Sequence, residues 1–163
     1  MSQYKKALIV YYSLEGNCDF IAREIKNNIN ADMLRLEPKK QVNPKSFSKY
    51  IWGGTQVFMK RKPELLDFKV NMEEYDTLFI GTPVWAWTFA PPLASFFESV
   101  EIRDKKIAFF ACHEGQLGKT FNKLRGKLST DNNKFIGQID FFNPLKHDAE
   151  NAKEKLKNWV LQL

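Results

Sequence analysis

Three short stretches of this 163-residue chain carry residue types suited to gripping a bound molecule. The first is Ser13, Leu14, Glu15, Gly16, Asn17 and Cys18, which joins a hydroxyl to two residues tolerant of unusual backbone angles and then runs into a helical pattern. The first N–H groups of such a helix lack partners within it and point at whatever lies above the loop. That makes an anion site, with phosphate its usual occupant. The second is Thr82, Pro83, Val84, Trp85, Ala86 and Trp87, two indoles crowded into a small stretch that ends near Pro91. Tryptophan at a pocket rim is costly to leave in water unless a flat apolar partner covers it, so a ring-shaped ligand is implied. The third is Cys112, His113, Glu114 and Gly115, with Gly118 close behind. Glycine lets main chain come close to a ring, and His113 adds a titratable group. A phosphate held by one loop and a ring held by two others describe a nucleotide-like cofactor with one phosphate end.

The elements that must position these loops are legible around them. Residues 7–12 (ALIVYY) form an unbroken apolar row with β-branched Ile9 and Val10, the pattern of a strand buried on both faces. Phe20, Ile21, Ile25 and Ile29 follow at helical spacing. Further strands are predicted at residues 32–36, 77–81, 106–112 and 135–142, with residues 82–90 as a loop. Helices are predicted from Pro91, from the stripe Phe121, Leu124 and Leu128, and after Asp148 as N-cap. The last of these buries Ala149, Ala152, Leu156, Trp159, Val160 and Leu163 on one face. Residues 47–62 are predicted helical with a break at Gly53 and Gly54. Strands alternating with helices require parallel pairing, and right-handed crossovers then favour an α/β sandwich on a five-stranded parallel sheet. One domain spans residues 1–163. Ligands in such a sheet sit beyond the carboxyl ends of the strands, where all three stretches fall.

Composition narrows the classes. The formal net charge is +6, with lysines spread along the chain in the manner of solvated helix faces, or of a surface that steers an acidic partner. No recognition motif accompanies that charge, so nucleic acid is not an expected partner. No run reaches the ~20 apolar residues of a membrane span, and MSQYKK lacks the apolar core of a signal peptide, so a cytoplasmic protein without a membrane partner is expected. Cys18 and Cys112 are expected to be reduced, the second inert at a strand end. Glu15 is expected to point away from the phosphate. For His113 two roles stay open, contact with the ring or a bond to a backbone carbonyl.

The stretch YYSLEGN, followed by a helix containing IA, resembles the flavodoxin phosphate loop. GTPVWAWTFAPPLASFF is similar to the loop and helix that wall the flavin in short-chain bacterial flavodoxins, and FFACHEGQLGKT to their third flavin loop. KYIWGGTQ and KPEL resemble their second connection. The motifs follow the family's order over most of the chain. The resemblance implies a flavodoxin-like three-layer sandwich with strand order 2-1-3-4-5. It also implies noncovalent FMN and electron transfer to and from redox partner proteins, by a monomer or weak dimer. Glu15 and Cys18 stand where the family pattern has threonine, and the basic charge departs from a family that tends to be acidic, so a partner with an acidic docking surface is expected. The alternative is an FMN-dependent NAD(P)H:quinone-type oxidoreductase on the same fold. A positive surface suits an anionic nucleotide donor, although no second nucleotide motif is present.

Overall fold

An unbroken apolar row makes a stable strand only if both its faces are covered, and β1 (Ala7–Tyr11) meets that condition. Ala7, Ile9 and Tyr11 enter one core and Leu8 and Val10 the other. The computed structural model describes residues 6–41 and 62–163. The predicted broken helix, all but its last residue, falls outside them, as do Trp52 and the KYIWGGTQ segment. After β1 come α1 (Asn17–Asn28), β2 (Ala31–Arg35), β3 (Thr77–Trp85), β4 (Thr88–Phe89), α2 (Pro91–Ser99), β5 (Lys106–His113), α3 (Thr120–Leu128), β6 (Lys134–Phe142), α4 (Pro144–His147) and α5 (Ala149–Gln162).

The parallel strands stand in the order β2-β1-β3-β5-β6, with β4 paired antiparallel to β3 alone. Numbered among the parallel strands only, that is the expected 2-1-3-4-5 order. The register sets Ile9 beside Met33 and Phe79, and Phe79 beside Ala108. Ile21 and Ile25 of α1 and Leu156 and Val160 of α5 cover one face of the sheet. Leu93 and Phe96 of α2, with Phe121 and Leu124 of α3, cover the other. Each such fully buried side chain contributes about 1.5–3 kcal/mol, so the two covered faces hold the sheet and with it the loops at its carboxyl end. Trp159 lies edge-on to Phe79 at 6.0 Å, on the core side of α5 as the helical stripe required. Asp148 caps α5 by accepting the N–H of Asn151 at 2.9 Å.

One expectation is corrected. Residues 82–85 are strand rather than loop: β3 runs on to Trp85 and folds back through a two-residue turn, pairing Val84 with Phe89 and Trp85 with Thr88. Ala86 (φ 47°) and Trp87 (φ 62°) both lie in the left-handed region, as a tight hairpin matched to strand twist demands. Asn-Gly is the usual signal for this turn, and Ala-Trp carries none of it. No helix among the described residues is long and apolar enough to cross a membrane.

Candidate functional site

The loop from β1 to α1 is organised by Gly16, the N-cap of α1, at φ 98°. Only glycine takes that angle without strain. A Cβ there would meet nothing nearer than Leu145 Cδ1 at 3.6 Å, so backbone angle rather than space selects the residue. Ser13 Oγ accepts the N–H of Asp19 at 3.2 Å, and Gly16 O accepts that of Phe20 at 2.9 Å. The N–H groups of Asn17 and Cys18 are left without a partner among the described residues, which makes them the donors an anion would take. Glu15 is exposed and Leu14 packs against Tyr12, Trp85 and Ala90. The Asn17 side chain is turned toward the end of β6, where it bonds Asn143 and Leu145. Cys18 brings main chain to the loop, not its thiol. The thiol is 1% exposed and lies in the core beside Cys112, itself 3% exposed, so it does not stand in for a loop hydroxyl. Burial, and then its hydrogen bond with Cys18, pushes the Cys112 thiol well up. Both are free cysteines.

A charged network that the sequence does not signal as a unit braces this loop from below. Arg35, at the end of β2, donates to the Ser13 carbonyl at 3.0 Å and lies 3.7 Å from Asp19. Tyr11 donates its hydroxyl to Asp19 Oδ1 at 2.5 Å, and Arg23 its Nε to Oδ2 at 2.7 Å. Within it only the Asp19–Arg23 pair, four apart on one helix, has a local spacing that could have signalled it. Burial, and then the Asp19 bond, raises the Tyr11 phenol. For Asp19 itself burial would raise the carboxyl, but the bonds from Arg23 and Tyr11 and the charges of Arg23 and Arg35 outweigh it and hold the group below its ordinary value. A carboxyl depressed in the folded state stabilises the fold above its unfolded pKa of about 4, and that contribution is lost as pH falls through the lower folded value. Asp19→Asn is therefore expected to lower the urea midpoint at pH 7 and to flatten its fall between about pH 5 and pH 2. Parallel midpoint curves for the variant and the wild type would show that the network does not hold the loop.

The ring-binding stretches divide their two indoles. Trp85 is 4% exposed and meets Tyr12 edge-to-face at 5.4 Å, a contact that builds it into the wall. Burial pushes the Tyr12 phenol up to about 12. Trp87, at the turn, is 65% exposed. Its carbonyl accepts the N–H of Lys119 at 3.0 Å, which docks the hairpin tip on the loop after β5. Pro83 and Val84 are half-buried strand residues, and Ala86 completes the turn. The Thr82 hydroxyl donates to Pro83 O at 2.7 Å and accepts the Ala90 N–H at 2.9 Å, so it closes the hairpin rather than facing a ligand.

In the third loop a Cβ on Gly115 would meet no atom within 4 Å, leaving bare main chain beside open space. Glu114 is exposed and accepts from Asn143 Nδ2 at 3.1 Å. His113 bonds a carboxylate rather than the backbone carbonyl that was one of its two expected roles: its Nε2 meets Asp140 Oδ2, on β6, at 2.9 Å. An ionised Asp140 can only accept, which places the proton on Nε2. The other ring nitrogen, Nδ1, is buried without a partner among the described residues. Asp140, Asn143, Asp19 and Arg35 are the neighbours that sequence reasoning missed. No set of three His, Cys, Asp or Glu among the described residues suits a metal. Open amides at a helix start, an exposed indole and bare glycine main chain suit a ligand with an anionic end and a flat ring.

The chain matches the family model described as Flavodoxin over residues 6–163. No curated protein sequence matches it. Among solved structures, a provisionally assigned flavoprotein from Bacteroides uniformis ATCC 8492 is 20% identical, over 96% of this chain and 97% of that one, with a TM-score of 0.78. A flavoprotein from Lactobacillus acidophilus NCFM, solved in complex with FMN, is 22% identical over 90% of this chain and 99% of that one, with a TM-score of 0.69. A flavodoxin from the domain Archaea is 15% identical over 96% and 99%, with a TM-score of 0.56. At such identities the likeness is one of fold.

Proposed function

This chain belongs to the flavodoxin family, and on that premise we propose that it holds FMN noncovalently across the three loops and carries electrons between partner proteins. The observation that carries this reading is Trp87. Its indole is 65% exposed at the rim. Exposure of so large an apolar ring is retained where a flat ligand covers it.

FMN, when bound, supplies the electron chemistry. The chain's own residues bind and orient. The amides of Asn17 and Cys18 would take the phosphate, and Ser13, whose oxygen already accepts from Asp19, keeps its own O–H free to donate. Trp87 would shield the ring, and the open main chain of Gly115 would approach it. A net charge of +6 supports partners with an acidic docking surface. The test is a visible spectrum. Purified protein is expected to be yellow, to absorb as an oxidised flavin and to bleach on reduction; a colourless protein that does not take up added FMN ends the proposal. NADPH added alone is expected to leave the colour, and rapid bleaching would favour an NAD(P)H-dependent oxidoreductase instead.

A further inference from the structure

Asn143 follows β6 with φ 42° and ψ 57°, and it is 7% exposed. Asparagine tolerates the left-handed region better than other side chains, but the conformation still persists only where surrounding bonds over-determine it. Here they do. Its N–H donates to His113 O at 2.8 Å, and its carbonyl accepts the N–H groups of Lys146 at 3.0 Å and His147 at 3.1 Å. Its Oδ1 accepts from Asn17 Nδ2 at 3.1 Å while its Nδ2 donates to Glu114 Oε1 at 3.1 Å. Asn17 Oδ1 in turn accepts the N–H of Leu145 at 3.2 Å. The orientation is self-consistent. The Glu114 carboxylate, when ionised, only accepts, so Asn143 must present its NH₂ there and its oxygen to Asn17.

One buried side chain thus bonds the first turn of α1 with one end and the loop after β5 with the other. We propose that Asn143 is a positioning residue that couples the phosphate end of the site to its ring end. The proposal rests on the flavin reading above. An anion on the amides of Asn17 and Cys18 settles the first turn of α1 and the Asn17 side chain with it. Through Asn143 that order reaches the Glu114 carboxylate and the His113 carbonyl, hence the main chain that lines the ring. By linkage the ring, once bound, tightens the anion site by the same factor.

Riboflavin and inorganic phosphate separate the two ends of the cofactor. Riboflavin is titrated by quenching of its fluorescence, with and without phosphate. In the wild type, phosphate is expected to tighten riboflavin roughly tenfold, within the 5–150-fold range typical of coupled sites. Asn143→Gly keeps the left-handed turn, the N–H and the carbonyl but loses both amide bonds. Its phosphate effect is expected to fall to less than about twofold, with FMN still bound but more weakly. Should that variant not fold, Asn17→Ala cuts the same bridge from the other end and carries the same expectation. A phosphate effect in the variant equal to that of the wild type overturns the coupling. So does a wild type that binds FMN yet shows no phosphate effect on riboflavin. A wild type that binds no FMN overturns the flavin reading instead.

Discussion

Gly81→Ala is expected to lower the thermal midpoint by roughly 6–12 °C. Gly81 lies in β3, directly beside Phe110 of β5, and the Phe110 ring folds over it. The three ring atoms nearest to an added Cβ all lie within 2.5 Å of it, and Phe110 is fully buried in the core beneath α1 and α5. A ring held on every side cannot swing away, so the clash must be relieved by moving strands. Overpacking of this kind costs about 3 kcal/mol at the upper end of its usual range, and each kcal/mol moves the midpoint of a domain this size by about 2–4 °C. The Gly81 carbonyl also accepts the N–H of Tyr12 at 3.2 Å, so the displaced strand drags the start of the loop into α1. Gly81→Ala/Phe110→Leu is expected to recover part of the loss. A single variant melting within 2 °C of the wild type, followed by circular dichroism, would mean that the ring has room that this packing denies it.

The second large effect falls on affinity. Gly118 has φ 58°, and a Cβ there would lie 2.8 Å from Trp87 Cα, 2.9 Å from Trp87 O and nearer still to Trp87 Cβ. These are backbone and near-backbone atoms, which have no rotamer to change. Gly118→Ala therefore pushes the hairpin tip off the loop after β5 and breaks the bond from Lys119 N to Trp87 O. The left-handed alanine costs about 1–2 kcal/mol and the lost bond about 0.5–1.5 kcal/mol, both at an exposed turn. The fold survives, but the indole no longer sits where the ring needs it. FMN affinity is expected to fall by about 10- to 100-fold, equivalent to about 1.4–2.8 kcal/mol, measured by quenching of flavin fluorescence. If affinity is unchanged while the variant is folded, Trp87 is not the residue that covers the ring.

What the chain's sequence determined by itself is whatever is written among near neighbours. The apolar row of β1, the glycine at the start of α1 and the 3.6-residue stripe of α1 each announce themselves locally, and the predicted strands at residues 7–12, 32–36, 106–112 and 135–142 end within one residue of those observed. Parallel order followed from the alternation of strands and helices. The three loops were legible as a candidate site because ligands of an open parallel sheet sit beyond the carboxyl ends of its strands. Tertiary structure alone decided the rest. Nothing local says which indole is buried: Trp85 is covered because Tyr12, a residue of another loop, packs against it. Ala86 and Trp87 carry no turn signal, and their left-handed angles are imposed by the pairing of β3 with β4 and by docking on Lys119. His113 finds Asp140 because β5 and β6 stand in a register that sets Ala111 beside Asp140. Cys18 meets Cys112, and Asn143 meets Asn17 across 126 positions, for the same reason. A shift of one residue in a strand turns every side chain to the opposite face, so such partnerships exist only once the whole sheet has chosen its register.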